Sequence, residues 1–181
     1  MSLLYRFPLN KNLKNIGVCG GNLSVNGSAT LSTDIGKFGS SYYFPSNSYL
    51  YLSSPDLSKF STEISMSVLV MFSQATSSWK QTLLFGSSGT SWNNILCGID
   101  INTSGIPYFN ASSGSASNYI AGTTNVYDGK WHNIIGIYDN GKKSIYVDGV
   151  RENYQTSAST LINLSSVTNL FVGGNSGGEK F

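Results

Sequence analysis

The chain has 181 residues, of which 40% are hydrophobic, 13% aromatic and only 11% charged, with a formal net charge of +2. That length suits one domain and would cramp two independent cores. The near-neutral balance and scattered basic residues exclude a nucleic-acid footprint, which needs clustered Lys and Arg against phosphates, and no apolar run is long enough to be inserted in a membrane. Polar character comes instead from Ser, Thr, Asn and 20 glycines. That mixture disfavours helices, because Ser and Asn compete with helical backbone bonds and Gly weakens them.

The N-terminal Met1–Phe7 stretch lacks the long apolar core of a signal peptide, so it is not expected to direct export by itself. Strands are predicted over 48–52 and then, after one short helical turn at 56–60 opened by Ser54-Pro55-Asp56, over 62–72. In 62–72 one face carries Ile64, Met66, Val68, Val70 and Phe72. The other begins with Glu63, Ser65 and Ser67 before turning apolar, a period of two that no amphipathic helix produces. Further strands are predicted over 81–86, 94–101, 107–111, 130–139, 142–147 and 169–173. Asn140-Gly141 and Asp148-Gly149 are hairpin turns, since both central positions of a type I′ turn need positive φ. They predict three consecutive antiparallel strands across 130–154. The Ser/Gly/Asn-rich stretches 73–80, 87–94, 112–125 and 174–178 read as surface loops. The fold class is therefore all-β: a two-sheet antiparallel sandwich of the jelly-roll kind.

Two cysteines make no disulfide framework. Cys97 shares a strand face with Ile95, Ile99 and Ile101 and reads as a small buried hydrophobe; Cys19 lies in a glycine-rich loop, and free thiols are the expected state.

Two segments carry a family resemblance. Asp128-Gly129-Lys130-Trp131-His132 followed by an apolar strand and Tyr146-Val147-Asp148-Gly149 resembles the signature of the laminin-G-like, concanavalin A-like lectin/glucanase superfamily. Leu4-Tyr5-Arg6-Phe7-Pro8-Leu9 and Gly36-Lys37-Phe38-Gly39-Ser40-Ser41-Tyr42-Tyr43-Phe44 look like the opening strand and a following segment of bacterial and phage members. The resemblance covers nearly the whole chain. It implies a concanavalin A-like sandwich and a setting on a bacterial surface or a virion, hence an extracellular or virion-associated place. Members usually continue beyond a segment like Leu170-Phe171-Val172-Gly173-Gly174 with one more strand, so the expectation is a domain over 1–181 lacking its final strand. Trp131, Tyr146 and the Asp-Gly turns are expected to be structural, and fold analogy does not supply a site.

The superfamily includes glycoside hydrolases, which need two carboxylates flanking the scissile bond. The glutamates are Glu63, Glu152 and Glu179; none has a second acid at a catalytic spacing, and Glu63 and Glu152 read as solvated. His132 is the only histidine and reads as a strand residue beside the core, with no nucleophile-elbow motif to recruit it. Zinc lacks any ligand spacing. The resemblance implies no obligatory cofactor and leaves calcium open, with Asp34, Asp56, Asp100 and Asp128 as loop or strand-end candidates, each weighed against a turn or capping role.

Carbohydrate binding needs exposed aromatic rings beside hydrogen-bonding side chains, because sugars present apolar faces and hydroxyl edges together. Trp79, and Trp92 beside Asn93, fit in polar loops flanking one predicted strand; Tyr119 and Tyr127 are further candidates. The competing reading folds these aromatics back over the core. The sequons at Asn22 and Asn110 are those expected by chance in such a composition. The reading is a non-catalytic recognition or adhesion module for a glycan or cell-surface polysaccharide. The alternatives are a structural or homo-oligomerising domain of a larger assembly, and a divergent hydrolase.

Overall fold

The computed structural model describes residues 13, 17, 19–36, 39–45, 48–58, 60–72, 81–87, 95–111, 119–156 and 161–174, with the side chains of 34–36, 81–87 and 95 left aside. Every regular element among them is a strand. In chain order these are β1 Ser24–Asn26, β2 Thr30–Gly36, β3 Gly39–Tyr43, β4 Tyr49–Ser53, β5 Glu63–Met71, β6 Gln81–Ser87 and β7 Ile95–Ile101. They continue with β8 Pro107–Ala111, β9 Tyr119–Ala121, β10 Trp131–Asp139, β11 Lys142–Val147, β12 Val150–Thr156 and β13 Asn169–Val172. The turn expected at 56–60 is present without becoming a helix: Phe60 N–H donates to Leu57 O at 3.0 Å, and the Asp56 carboxylate accepts from Ser58 N–H at 3.1 Å. No helix of the described residues is long and apolar enough to cross a membrane.

The strands form a seven-stranded sheet, β1-β4-β13-β6-β7-β8-β9, a four-stranded sheet, β12-β11-β10-β5, and the β2-β3 hairpin. All pairings are antiparallel. Alternation decides what each sheet buries. Ile64, Met66 and Val70 of β5, Ile134 and Tyr138 of β10, and Ile145 and Val147 of β11 turn inward. They meet Leu50 and Leu52 of β4, Cys97, Ile99 and Ile101 of β7, Phe109 of β8 and Ile120 of β9 in one cluster. Cys19 and Cys97 are free thiols, and Cys97 is buried as expected.

Three features of the small sheet matter later. Asn140 (φ 46°) and Gly141 (φ 83°), and Asp148 (φ 51°) and Gly149 (φ 84°), adopt the positive-φ pairs that tight hairpins demand. Gly136 of β10 lies against Phe109 of the opposite sheet so closely that a Cβ there would stand 2.1 Å from the ring. Lys143 shares the inward face of β11 with Ile145 and Val147 and is fully buried, so burial pushes its ammonium down to about 8.

Register also corrects the expected role of Trp131. His132 pairs with inward-facing Val70 and is buried, while Trp131 pairs with Met71 on the outward face and is half-buried.

Candidate functional site

The outward face of the large sheet carries an unusual set of side chains where β7, β8 and β9 run side by side. Ile99, Ile101, Phe109 and Ile120 point into the core, so the alternate residues Asp100, Tyr108, Asn110 and Tyr119 point away from it. Register places them in adjoining rows: Asp100 opposite Tyr108, and Gly98 opposite Asn110, which is opposite Tyr119. Tyr108 and Tyr119 meet edge to face, ring centroids 4.9 Å apart at 71°. Asp100 and Asn110 are 4% and 5% exposed, whereas Tyr119 is 45% exposed.

Just beyond β7, Asn102 fixes this patch. Its side-chain oxygen accepts from Ser104 N–H and Ile106 N–H, both at 2.9 Å, and its amide donates to the Tyr108 hydroxyl at 3.2 Å. An Asx turn therefore holds the tyrosine ring in place. Toward the other edge, Tyr49, Tyr51 and Phe171 form a second, separate apolar cluster, with Tyr49 5.6 Å from Phe171 and 6.1 Å from Tyr51 between centroids. Burial, reinforced by neighbouring Tyr51, raises the Tyr49 phenol above its ordinary value. The patch thus sets an ordered aromatic ring beside a carboxylate, an amide and a phenol, a set able to stack on an apolar surface while exchanging hydrogen bonds with hydroxyls.

Of the aromatic and amide candidates from the sequence, Tyr119 belongs to this patch. Tyr127 does not: it is half-buried, packs on Phe72 at 5.0 Å between centroids, and joins the main core. Trp79, Trp92 and Asn93 lie outside the described residues, at chain positions bracketing β6. Asp100 entered only as a calcium candidate and Asn110 only as a sequon, while Tyr108 went unnoticed. Their signal is the polar face of Pro107-Tyr108-Phe109-Asn110-Ala111, which sits opposite two buried core residues.

The signature segment forms a second polar constellation, and its role is structural. His132 Nδ1 lies 2.8 Å from Asp148 Oδ2, and its Nε2 lies 2.9 Å from Asp128 Oδ1. Asp148 also accepts Asn133 N–H at 2.9 Å, and Asp128 accepts Lys130 N–H at 2.9 Å beside the Lys130 ammonium at 3.0 Å. Bonds from His132 and then Lys130 hold the Asp128 carboxyl well below its usual range. Burial lowers the imidazole, but bonds from Asp128 and Asp148 outweigh it, and the net shift is upward. One imidazole thereby ties the loop before β10 to the β11–β12 turn.

Glu152 departs from the expected solvated state. It accepts Thr123 N–H at 2.7 Å, Thr124 N–H at 3.2 Å and the Thr124 hydroxyl. Asn153 donates to Ala121 O at 2.8 Å. Together they clip edge strand β12 of the small sheet to the chain leaving β9 of the large one. Glu63 is exposed, as read from the sequence. Among the described residues no group of three or more His, Cys, Asp or Glu side chains is placed to hold a metal ion.

Comparison with solved structures shows the same fold at low identity. Domain 4 of AbnA, a GH43 extracellular arabinanase from Geobacillus stearothermophilus solved with arabinotriose, superposes with a TM-score of 0.67 at 18% identity, over 92% of this chain and 80% of that one. The binding domain of botulinum neurotoxin DC, solved in complex with SialylT, gives 0.69 at 15% identity over 95% of this chain. The binding domain of Paraclostridial Mosquitocidal Protein 1 gives 0.70 at 12% identity over 99% of this chain. The chain spans less than half of each of these two binding domains, 42% and 46%. No curated protein matches in sequence. Residues 44–181, however, match the Laminin_G_3 family, described as Concanavalin A-like lectin/glucanases superfamily. The chain belongs to that family, whose fold its two stacked antiparallel sheets display.

Proposed function

We propose that this domain is a non-catalytic glycan-recognition module whose ligand sits on the patch formed by Asp100, Tyr108, Asn110 and Tyr119. The observation that carries this reading is two buried polar side chains placed on the outward face of a sheet beside a pair of ordered tyrosine rings. Burying polar groups costs free energy unless they are hydrogen-bonded. A fold under no functional demand fills such strand positions more cheaply with apolar or fully solvated residues.

Two comparisons add support: one structural neighbour was solved with arabinotriose and another with SialylT. Catalysis is disfavoured because the paired carboxylates near the sheet edges are already engaged, Asp128 and Asp148 by His132 and Glu152 by Thr123 and Thr124. Trp79, Trp92 and Asn93, at chain positions flanking β6, extend the contact surface in this proposal, and calcium acts at most as a loop ligand. The family resemblance assigns the module to a bacterial surface or a virion.

The test is a glycan-array screen with and without calcium, using the unaltered domain, Tyr119→Ala and a Trp79→Ala/Trp92→Ala double variant. Binding that Tyr119→Ala weakens at least tenfold supports the patch. Binding lost only in the double variant moves the site to the β6 loops. Silence from the folded, unaltered domain removes the glycan reading and favours an assembly role.

A further inference from the structure

The strands of the two sheets differ sharply in charge. The seven strands of the large sheet contain no lysine or arginine, and their single acidic residue is Asp100. The basic residues found in described strands, Lys142, Lys143 and Arg151, all belong to β11 and β12 of the small sheet. We infer that the large-sheet patch takes neutral glycans and discriminates against sialylated, uronic or sulfated ones, an inference that rests on the glycan reading above.

The argument is one of complementarity. An ionised carboxylate is an acceptor only, and sugar hydroxyls supply the donors it needs. The Asn110 amide and the Tyr108 hydroxyl can exchange bonds with hydroxyls in either direction. An anionic sugar would bring a second negative charge toward Asp100, which is 4% exposed and so poorly screened by solvent. Holding a buried anion calls for a guanidinium, an ammonium or converging N–H groups. The strands of this sheet offer no cation for that purpose. Hydrogen bonds to neutral hydroxyls and stacking on Tyr119 remain, and neither depends on ionic strength.

The experiment uses matched pairs: neutral oligosaccharides bound on the array, and the same compounds oxidised at a primary hydroxyl to the carboxylate. Affinities are measured by calorimetry at low and high salt for the unaltered domain, Tyr119→Ala and Asp100→Asn. The expected result is neutral binding that is insensitive to salt and abolished in Tyr119→Ala. The oxidised partner should bind at least tenfold more weakly, a gap that narrows in Asp100→Asn. If Asp100→Asn does not fold, the matched pair and salt series on the unaltered domain still decide the matter. Equal or tighter binding of the oxidised partner, lost in Tyr119→Ala, overturns the neutral preference while leaving glycan recognition standing. Failure of every array glycan and both matched partners to bind the folded domain overturns both.

Discussion

Replacing Gly136 by alanine adds one methyl group where the two sheets come closest. The new Cβ would lie 2.1 Å from Phe109 Cδ2, 2.5 Å from Cγ and 2.6 Å from Cε2. Carbon atoms in contact prefer about 3.5–4 Å, so the ring or β10 must move by more than an ångström. Phe109 is 0% exposed and Gly136 sits mid-strand between β5 and β11, so neither can yield freely. The cost should reach the upper end of overpacking penalties, about 3 kcal/mol. With a urea m-value of about 2 kcal/mol/M, that lowers the unfolding midpoint by about 1.5 M. Phe109→Leu alone should cost about 1–2 kcal/mol, because it removes ring contacts without adding bulk. In the double variant the smaller side chain vacates the clash, so the combined loss should fall short of the sum by at least about 1 kcal/mol. Urea titrations of all four proteins, followed by tryptophan fluorescence, measure this cycle. Additive losses, or a Gly136→Ala variant as stable as the parent, would refute the close approach of β8 and β10.

Three further outcomes are expected. The Lys143 ammonium falls from 10.5 to about 8 on folding, so between those values the unfolded chain binds more protons and stability should rise with pH, by up to about 3 kcal/mol. Lys143→Met should abolish that rise and leave the domain as stable or more stable at pH 7 in urea titrations. For His132 the sign is opposite: its raised value gives a contribution fully present below about pH 6.5 and lost as pH climbs through its folded value, while the Asp128 contribution holds above about 4 and fades in acid. His132→Ala should cost about 1–3 kcal/mol near pH 6 and flatten that profile in thermal melts. Glu152→Ala should cost about 1–2 kcal/mol and speed hydrogen exchange at the Thr123 and Thr124 amides, which it would leave without their acceptor; unchanged exchange would argue against the clip.

Much of the scaffold was legible in local patterns. The period of two in β5 and the Asn-Gly and Asp-Gly turns around β11 identified strands and hairpins because side-chain alternation and positive φ are local demands. Strands β1 and β9 escaped, being three residues each, and β9 follows a Ser/Gly/Asn-rich run that reads as loop. Alternation also leaves open which face turns inward. In β10 both faces mix apolar and polar residues, so the burial of His132 rather than Trp131 follows only from pairing with β5. The patch was hidden for a similar reason. Asp100 and Asn110 look like ordinary strand-end and sequon residues until the register of β7, β8 and β9 brings them beside Tyr108 and Tyr119. The partners of Glu152 are about thirty residues distant along the chain and belong to the other sheet, so nothing near Glu152 in sequence announces them.

The most direct test of the central claim is backbone amide chemical-shift mapping of the labelled domain titrated with its best-binding glycan. The account predicts saturable shifts concentrated on residues 98–110 and 119–121, with the 131–147 amides of the small sheet unmoved. Shifts confined to the small sheet, or none at all from a glycan that binds, would contradict it.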